Sequence, residues 1–221
     1  MWQKADPRGF RVWITQPWPS EWFVSTQKDS SSFFVEDIKI RELIEKFYFR
    51  SAISKIVIRK DVSWWEILIF TAKPAWIIWK DWKTLETFEK KLKKLTGKQF
   101  KVTIKEVRVP ELSAKIMAEF ACMQLENRIS YRRVAKWVLQ KVMEKWAIWV
   151  KFQIGWRLWW VDLSRSETFS DGRIPLQTLR ADVDYHYTTA FTKYGILWVK
   201  VWICKSENTQ ISKQKSAMDK I

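Results

Sequence analysis

Apolar positions switch along the chain between helical and strand spacing, and the switches divide it in two. Ile38, Leu43, Ile44 and Phe47 recur at helical intervals with charges between them. They predict a helix from about Ser32, with Ser and Asp residues at 29–32 as caps. Ile53 to Arg59 and Glu66 to Thr71 have strand length and strand composition. Pro74 opens a short apolar helical turn, Ala75 to Ile78. A long basic helix follows from Lys83 to Leu95, with Leu85, Phe88, Leu92 and Leu95 on one face and Thr96-Gly97-Lys98 as its end. Lys101 to Lys105 alternates like a half-buried strand. The order helix–strand–strand–helix–loop–helix–strand closes one α+β unit near residue 106, and Pro110-Glu111 marks the boundary.

The second half opens with two helices. One, over 111–127, places Leu112, Ile116, Phe120 and Met123 on one side. The next, from Ser130 to Glu144, carries a stripe of Val134, Val138 and Val142. From Ala147 the pattern predicts strands at 147–154, 158–165, 179–188 and 194–204. The fold class is α+β throughout. An irregular arm covers 1–26, broken by Pro7, Pro17 and Pro19, and the first unit covers 27–108. The second, 109–205, holds two helices and a mainly antiparallel sheet. A polar, basic tail over 206–221 is expected to be disordered.

Charge narrows the partner. The 221 residues carry 40 Lys+Arg against 24 Asp+Glu, a net +16. Such an excess points to a polyanion, either nucleic acid or an anionic membrane surface. The longest apolar runs, such as Ile67 to Phe70, are too short to span a bilayer. No apolar stretch follows Met1 to Pro7, so no secretion signal is predicted. Cys122 and Cys204 lack metal-ligand spacing and read as buried or idle thiols. His186 is the one histidine, which excludes multi-histidine metal sites and leaves no second histidine for acid–base chemistry. No cofactor and no enzyme chemistry are expected.

One ratio is out of line. The chain has 17 Trp and 5 Gly, whereas average usage of about 7% predicts roughly 15 glycines. The tryptophans stand where backbone chemistry wants glycine. Trp146 follows the helix ending at Lys145, where a left-handed glycine is the usual stop. Trp159-Trp160 occupies a hairpin turn. Trp79-Lys80-Asp81-Trp82 lies between two helices, where a KH domain places the Gly-x-x-Gly loop that clamps a nucleic-acid backbone.

Over residues 1–205 these motifs, in order and at matching spacing, resemble the bacterial small-subunit ribosomal protein S-three (uS3) family. The carriers are Met1-Trp2-Gln3-Lys4 through Ile14, Thr71-Ala72-Lys73-Pro74 through Trp82, Leu95-Thr96-Gly97-Lys98 and Arg132-Arg133-Val134-Ala135-Lys136. Trp156-Arg157-Leu158-Trp159-Trp160, Ser164-Arg165-Ser166-Glu167, Gly172-Arg173-Ile174-Pro175-Leu176, Leu179-Arg180-Ala181-Asp182 and Tyr194-Gly195 complete them. The resemblance implies a type II KH fold in the first half and a separate α+β C-terminal domain. It implies partners as well: small-subunit ribosomal RNA in the subunit head, messenger RNA at its entrance, and neighbouring small-subunit proteins. Membranes are not among them, and the implied location is the cytoplasmic ribosome.

The resemblance also places site residues. Arg132, Arg133 and Lys136 correspond to a basic patch at the messenger entrance that helps unwind structured messages without ATP. On the residues alone, the same helix face could be ordinary solvated charge. Trp79, Lys80, Asp81 and Trp82 correspond to the KH loop, with Lys80 as the contact of choice because Asp81 repels phosphate. Lys4, Arg8, Arg11, Lys83, Arg165, Arg173 and Arg180 are candidates for ribosomal RNA contacts. Against the family, tryptophan replaces glycine at Trp2, Trp13, Trp79, Trp82, Trp146, Trp149, Trp156, Trp159, Trp160 and Trp198. Trp18, Trp22 and Trp202 stand at family tryptophans, and Trp64, Trp65, Trp76 and Trp137 are ambiguous. A codon explains the pattern: UGA is a stop in the standard code, tryptophan in one variant code and glycine in another.

Two other readings follow from the same residues. One is a free KH-type RNA-binding regulator, against which the full-length match argues. The other is a Trp-rich cationic protein of membrane surfaces, which needs indoles gathered on one helix face; here they sit mainly at turns.

Overall fold

In a computed structural model of the chain, the described residues are 5–24, 27–48, 51–61, 64–78, 82–98, 100–158, 162–172, 176–193 and 195–207. The chain folds as two compact units, residues 18–108 and residues 109–221 together with 1–17.

The first unit runs β1 (Ser20–Trp22), α1 (Gln27–Phe47), β2 (Ile53–Lys60), β3 (Trp65–Thr71), α2 (Pro74–Ile78), α3 (Trp82–Thr96) and β4 (Lys101–Glu106). Its sheet has the order β1-β2-β3-β4, antiparallel between β2 and β3 and parallel at both outer pairs. Ile56, Ile58, Ile67 and Ile69 point from the sheet into a core with Ile40 and Ile44 of α1, Ile77 of α2, and Phe88 and Leu92 of α3. From α1 onward the element order is the KH-like one that the periodicity predicts.

Two details differ from the sequence expectation. Helix α1 starts at Gln27, so Asp29 and Ser32 lie inside it. Ser32 Oγ donates to the Asp29 carbonyl at 2.8 Å within the helix, a use of serine that competes with capping. The arm does not hold together over 1–26 either. Its first part joins the C-terminal unit, while Ser20–Trp22 forms the edge strand of the first sheet. Three residues are too few to show strand alternation.

A buried ammonium ties α1 to this sheet. Lys60, at the end of β2, has a side chain only 1% exposed, and its Nζ lies 2.7 Å from Asp37 Oδ1 and 3.3 Å from Glu36 Oε2. It also donates to the Phe33 carbonyl at 3.3 Å and sits over the rings of Phe33 and Trp65. Asp37 Oδ2 in turn accepts the Trp22 indole N–H at 2.8 Å, which links β1 to the same centre. Charge pairing, hydrogen bonds and ring faces together offset the desolvation of the cation.

The second unit contains a short turn at Pro110–Leu112, α4 (Ala114–Glu126), α5 (Tyr131–Glu144), β5 (Trp149–Trp156), β6 (Arg165–Asp171), β7 (Ala181–Thr192) and β8 (Gly195–Glu207). The sheet is wholly antiparallel in the order β6-β5-β8-β7. Val150, Phe152, Ile154, Val199, Val201 and Ile203 bury against α4 and α5. On the opposite face Trp149, Ala181, Val183, Trp202 and Cys204 form a smaller cluster.

Of the strand expected at 158–165, residues 159–161 lie outside the described residues, and among the others only Arg165 is in a strand. The second strand of this sheet is Arg165–Asp171, whose polar residues are mostly exposed on both faces. An edge strand of that kind leaves no apolar alternation to read. The tail boundary also moves, because β8 continues to Glu207; residues 208–221 lie outside the described residues.

Removing one partner of a buried ion pair leaves the other charge uncompensated. Asp37→Ala is therefore expected to destabilise the protein by about 3–5 kcal/mol, read as a lowered urea midpoint. A loss below about 1 kcal/mol, as at an exposed pair, would remove Lys60 from its place in the core.

Candidate nucleic-acid interface

Helix α5 presents its basic residues because its other side is committed. Tyr131, Val134, Ala135, Val138 and Val142 are buried and form one stripe. At helical spacing Arg132, Arg133 and Lys136 project within an arc of about 100° on the opposite side. All three are exposed. Trp137 stacks on Phe120 of α4 with ring centroids 4.4 Å apart and lies under the Lys141 ammonium, so this indole has a packing role beside the patch.

One end of the patch is tied down. The Tyr131 hydroxyl donates to Glu167 Oε1 at 2.9 Å and accepts from Arg132 Nε at 3.1 Å and from Arg165 Nη2 at 3.2 Å. Glu167 also pairs with Arg165 at 3.2 Å and faces Arg132 at 4.0 Å. The fold thus brings Arg165 of β6 beside Arg132 of α5, joining residues that the sequence treats as two separate sites. Tyr131 and Glu167 are the organising residues, and neither stands out as a site residue in the sequence. The one hint is an aromatic hydroxyl directly before an arginine pair.

The arm arginines part company. Arg8 is exposed and paired with Asp6 at 2.9 Å. Arg11 is fully buried, and its guanidinium donates to the carbonyls of Ala181 (2.8 Å), Pro7 (2.9 Å), Leu176 (2.9 Å) and Thr178 (3.0 Å). Burial pushes its pKa down, with Cys204 and Asp182 acting in the opposite direction. Guanidinium remains charged regardless. The expectation that Arg11 contacts RNA is therefore corrected: its donors are spent on holding the arm to the segment before β7. Arg180 is exposed at the end of that segment.

In the first unit, α2 packs against α3 and β4, with Ile77 buried beneath it. Trp79, Lys80 and Asp81, which join α2 to α3, lie outside the described residues, as do Lys4, Arg173 and the side chains of Trp82 and Lys83. Further along α3, Lys90, Lys91, Lys93 and Lys94 are all exposed. On the sheet face away from the helices, Lys55 and Lys105 lie over the Phe70 ring at 4.8 and 5.9 Å. Charge interleaved with an aromatic face suits nucleic acid, and periodicity alone does not reveal it.

Other chemistry has little foothold. Among the described residues no group of three His, Cys, Asp or Glu could hold a metal ion, and no helix is long and apolar enough to cross a membrane. Cys122 and Cys204 are buried thiols outside any disulfide, and burial pushes the Cys122 thiol up to about 12.

A KH-like unit followed by an antiparallel-sheet unit with an exposed basic helix is the build of a ribosomal protein. The family described as ribosomal protein S3, C-terminal domain, matches residues 122–203, which include α5 and most of the second sheet. Small ribosomal subunit protein uS3 of Bacillus cytotoxicus is 42% identical over 216 residues, covering 98% of both chains. That of Finegoldia magna is 42% identical over 207 residues, 94% of this chain and 84% of its own. The Carboxydothermus hydrogenoformans protein is 39% identical over 207 residues, 94% and 93% respectively. The chain belongs to the uS3 family of small ribosomal subunit proteins.

Tyr131→Phe removes the shared hydroxyl while keeping the buried ring. It is expected to cost about 0.5–1.5 kcal/mol and to release Arg132 and Arg165, seen as raised mobility of their Nε–H groups by NMR. Unchanged Arg132 mobility would mean that the hydroxyl does not order the patch.

Proposed function

We propose that this chain is a structural, non-enzymatic constituent of the small ribosomal subunit in the cytoplasm. In this reading it binds ribosomal RNA in the subunit head and touches messenger RNA at the entrance. The observation that carries the messenger contact is the exposed Arg132-Arg133-Lys136 face of α5, anchored by the Tyr131–Glu167 network. Lysine and arginine on such a face hold phosphates by charge and hydrogen bonds without reading sequence. That suits a site past which every message must slide.

Ribosomal RNA falls to the first unit and to the remaining candidate arginines. Lys80 in the loop joining α2 to α3, Lys83, and the exposed lysines of α3 form its proposed contact, with Arg8, Arg173, Arg180 and Lys4 contributing elsewhere. Arg165 moves from this group to the messenger patch because it shares Tyr131 with Arg132.

Replacing Arg132, Arg133 and Lys136 together with Ala tests the patch. Assembly into small subunits is expected to be normal by sedimentation, while translation through structured messages slows. For single-stranded RNA the salt slope of binding is expected to fall by about 2. Unchanged speed on structured messages would defeat the assignment.

Glu167→Gln addresses the same site from the acidic side. Removing a carboxylate that competes with phosphate for Arg132 and Arg165 is expected to tighten RNA binding about two- to fivefold, the range of an exposed ion pair. Weaker binding would show that Glu167 acts only by positioning the arginines.

A further inference from the structure

We propose that the mature chain carries glycine, not tryptophan, at positions 13, 146 and 156, because its gene reads UGA as glycine. The argument rests on backbone geometry and is independent of the RNA reading. Among the described residues, five that are not glycine have positive φ, and three of them are Trp13 (φ 72), Trp146 (φ 64) and Trp156 (φ 106). A bulky side chain in that region is an outlier, because its Cβ crowds the neighbouring carbonyl. Where the chain has glycine in this region, at Gly97, Gly172 and Gly195, it is doing the same backbone work.

Nothing in the packing offsets the strain. Trp13 is 84% exposed and Trp146 is 90% exposed, so their indoles gain almost no burial. Trp156 is exposed as well, and at φ 106 it lies well away from the small left-handed minimum that other side chains tolerate. The contrast with other tryptophans is sharp. Trp18, Trp22, Trp64, Trp65, Trp76, Trp137 and Trp202 all have negative φ. Several are also used: Trp22 donates to Asp37, Trp65 packs on Phe33 and Phe100, and Trp202 packs on Tyr185. All three strained tryptophans stand at glycine positions of the uS3 pattern and none at its tryptophan positions, Trp18, Trp22 and Trp202. Trp82, Trp149 and Trp198, also at glycine positions, do not have positive φ.

Trp149 gives a weaker, independent sign. It is fully buried, and its Nε1 has no hydrogen-bond partner among the described residues. Buried indole N–H groups normally find an acceptor. Trp198 is not diagnostic, because it pairs across the sheet with Gly155, which leaves room beneath its ring. Extended to Trp79 and Trp82, the same codon would leave a Gly-Lys-Asp-Gly loop between α2 and α3.

The test uses the protein as its own cells make it. Trypsin releases residues 12–28, 146–151 and 152–157 as separate peptides. The first contains Trp13 together with Trp18 and Trp22, so the control and the test share one molecule. Fragmentation spectra are expected to read glycine at 13, 146 and 156 and tryptophan at 18 and 22, with UGA codons at the first three and UGG at the others. Tryptophan at any of the three in the peptides, or UGG there in the gene, overturns the proposal. A second comparison needs no native source. Chains made with glycine at the three positions are expected to melt several degrees above the tryptophan chain, and an equal or lower melting temperature counts against the strain argument.

Discussion

The C-terminal unit depends on a backbone constraint more than on any single contact: its chain must repeatedly reverse through positive φ. Arg128 does so between α4 and α5, Trp146 between α5 and β5, Trp156 at the end of β5, Gly172 after β6 and Gly195 at the start of β8. Trp13 makes the same reversal in the arm. Each left-handed residue lets an element turn back onto the sheet or helix pair it has just left, which is how α5 comes to lie on β5 and β6. The residues at these points set the register of everything between them. Whether they are glycine or tryptophan decides how much of the unit's small net stability is consumed by strain.

Within that frame a buried cation helps to tie each unit, Lys60 in the first and Arg11 in the second, and the two are solved differently. Lys60 is met by two carboxylates and two ring faces, a charge-compensated centre that draws in β1 through Trp22. Arg11 is met mainly by main-chain carbonyls, which carry partial rather than full negative charge. The planar, multi-donor guanidinium suits that task, since it can satisfy several carbonyls at once. A lysine there could not span the same set. The arm is thereby a structural part of the C-terminal unit rather than a loose basic tether.

This division explains which parts of the protein were legible in the sequence. Strands β2 and β3 were plain as short continuous apolar runs, buried at successive positions from Ile56 to Ile58 and from Ile67 to Ile69. Helix α3 was plain from its apolar stripe, with Phe88 and Leu92 in the core. Strand β6 was not, since only Phe169 on it packs against the core and the rest of the strand is polar and mostly exposed. Arg11 looked like an RNA contact because arginine on a Pro-broken basic arm usually is one. Its burial depends on carbonyls 165 to 170 positions away. The Arg132 patch was legible from helical spacing plus family resemblance, but the Tyr131–Glu167 anchor spans 36 positions and only the fold brings it together.

That anchor bears on what kind of binding the patch can do. Arg132 and Arg165 share a hydroxyl and a carboxylate, so their guanidinium groups are held in place and partly neutralised. Arg133 and Lys136 project into solvent further round the helix. A fixed, tempered pair beside two long, exposed cations favours many weak phosphate contacts over one tight one. A strand held this way can be gripped and released step by step, because no single contact dominates the dissociation rate. For the messenger contact proposed above, a surface that passes a moving polyanion needs that balance, where a fully uncompensated cluster would bind the strand and stall it.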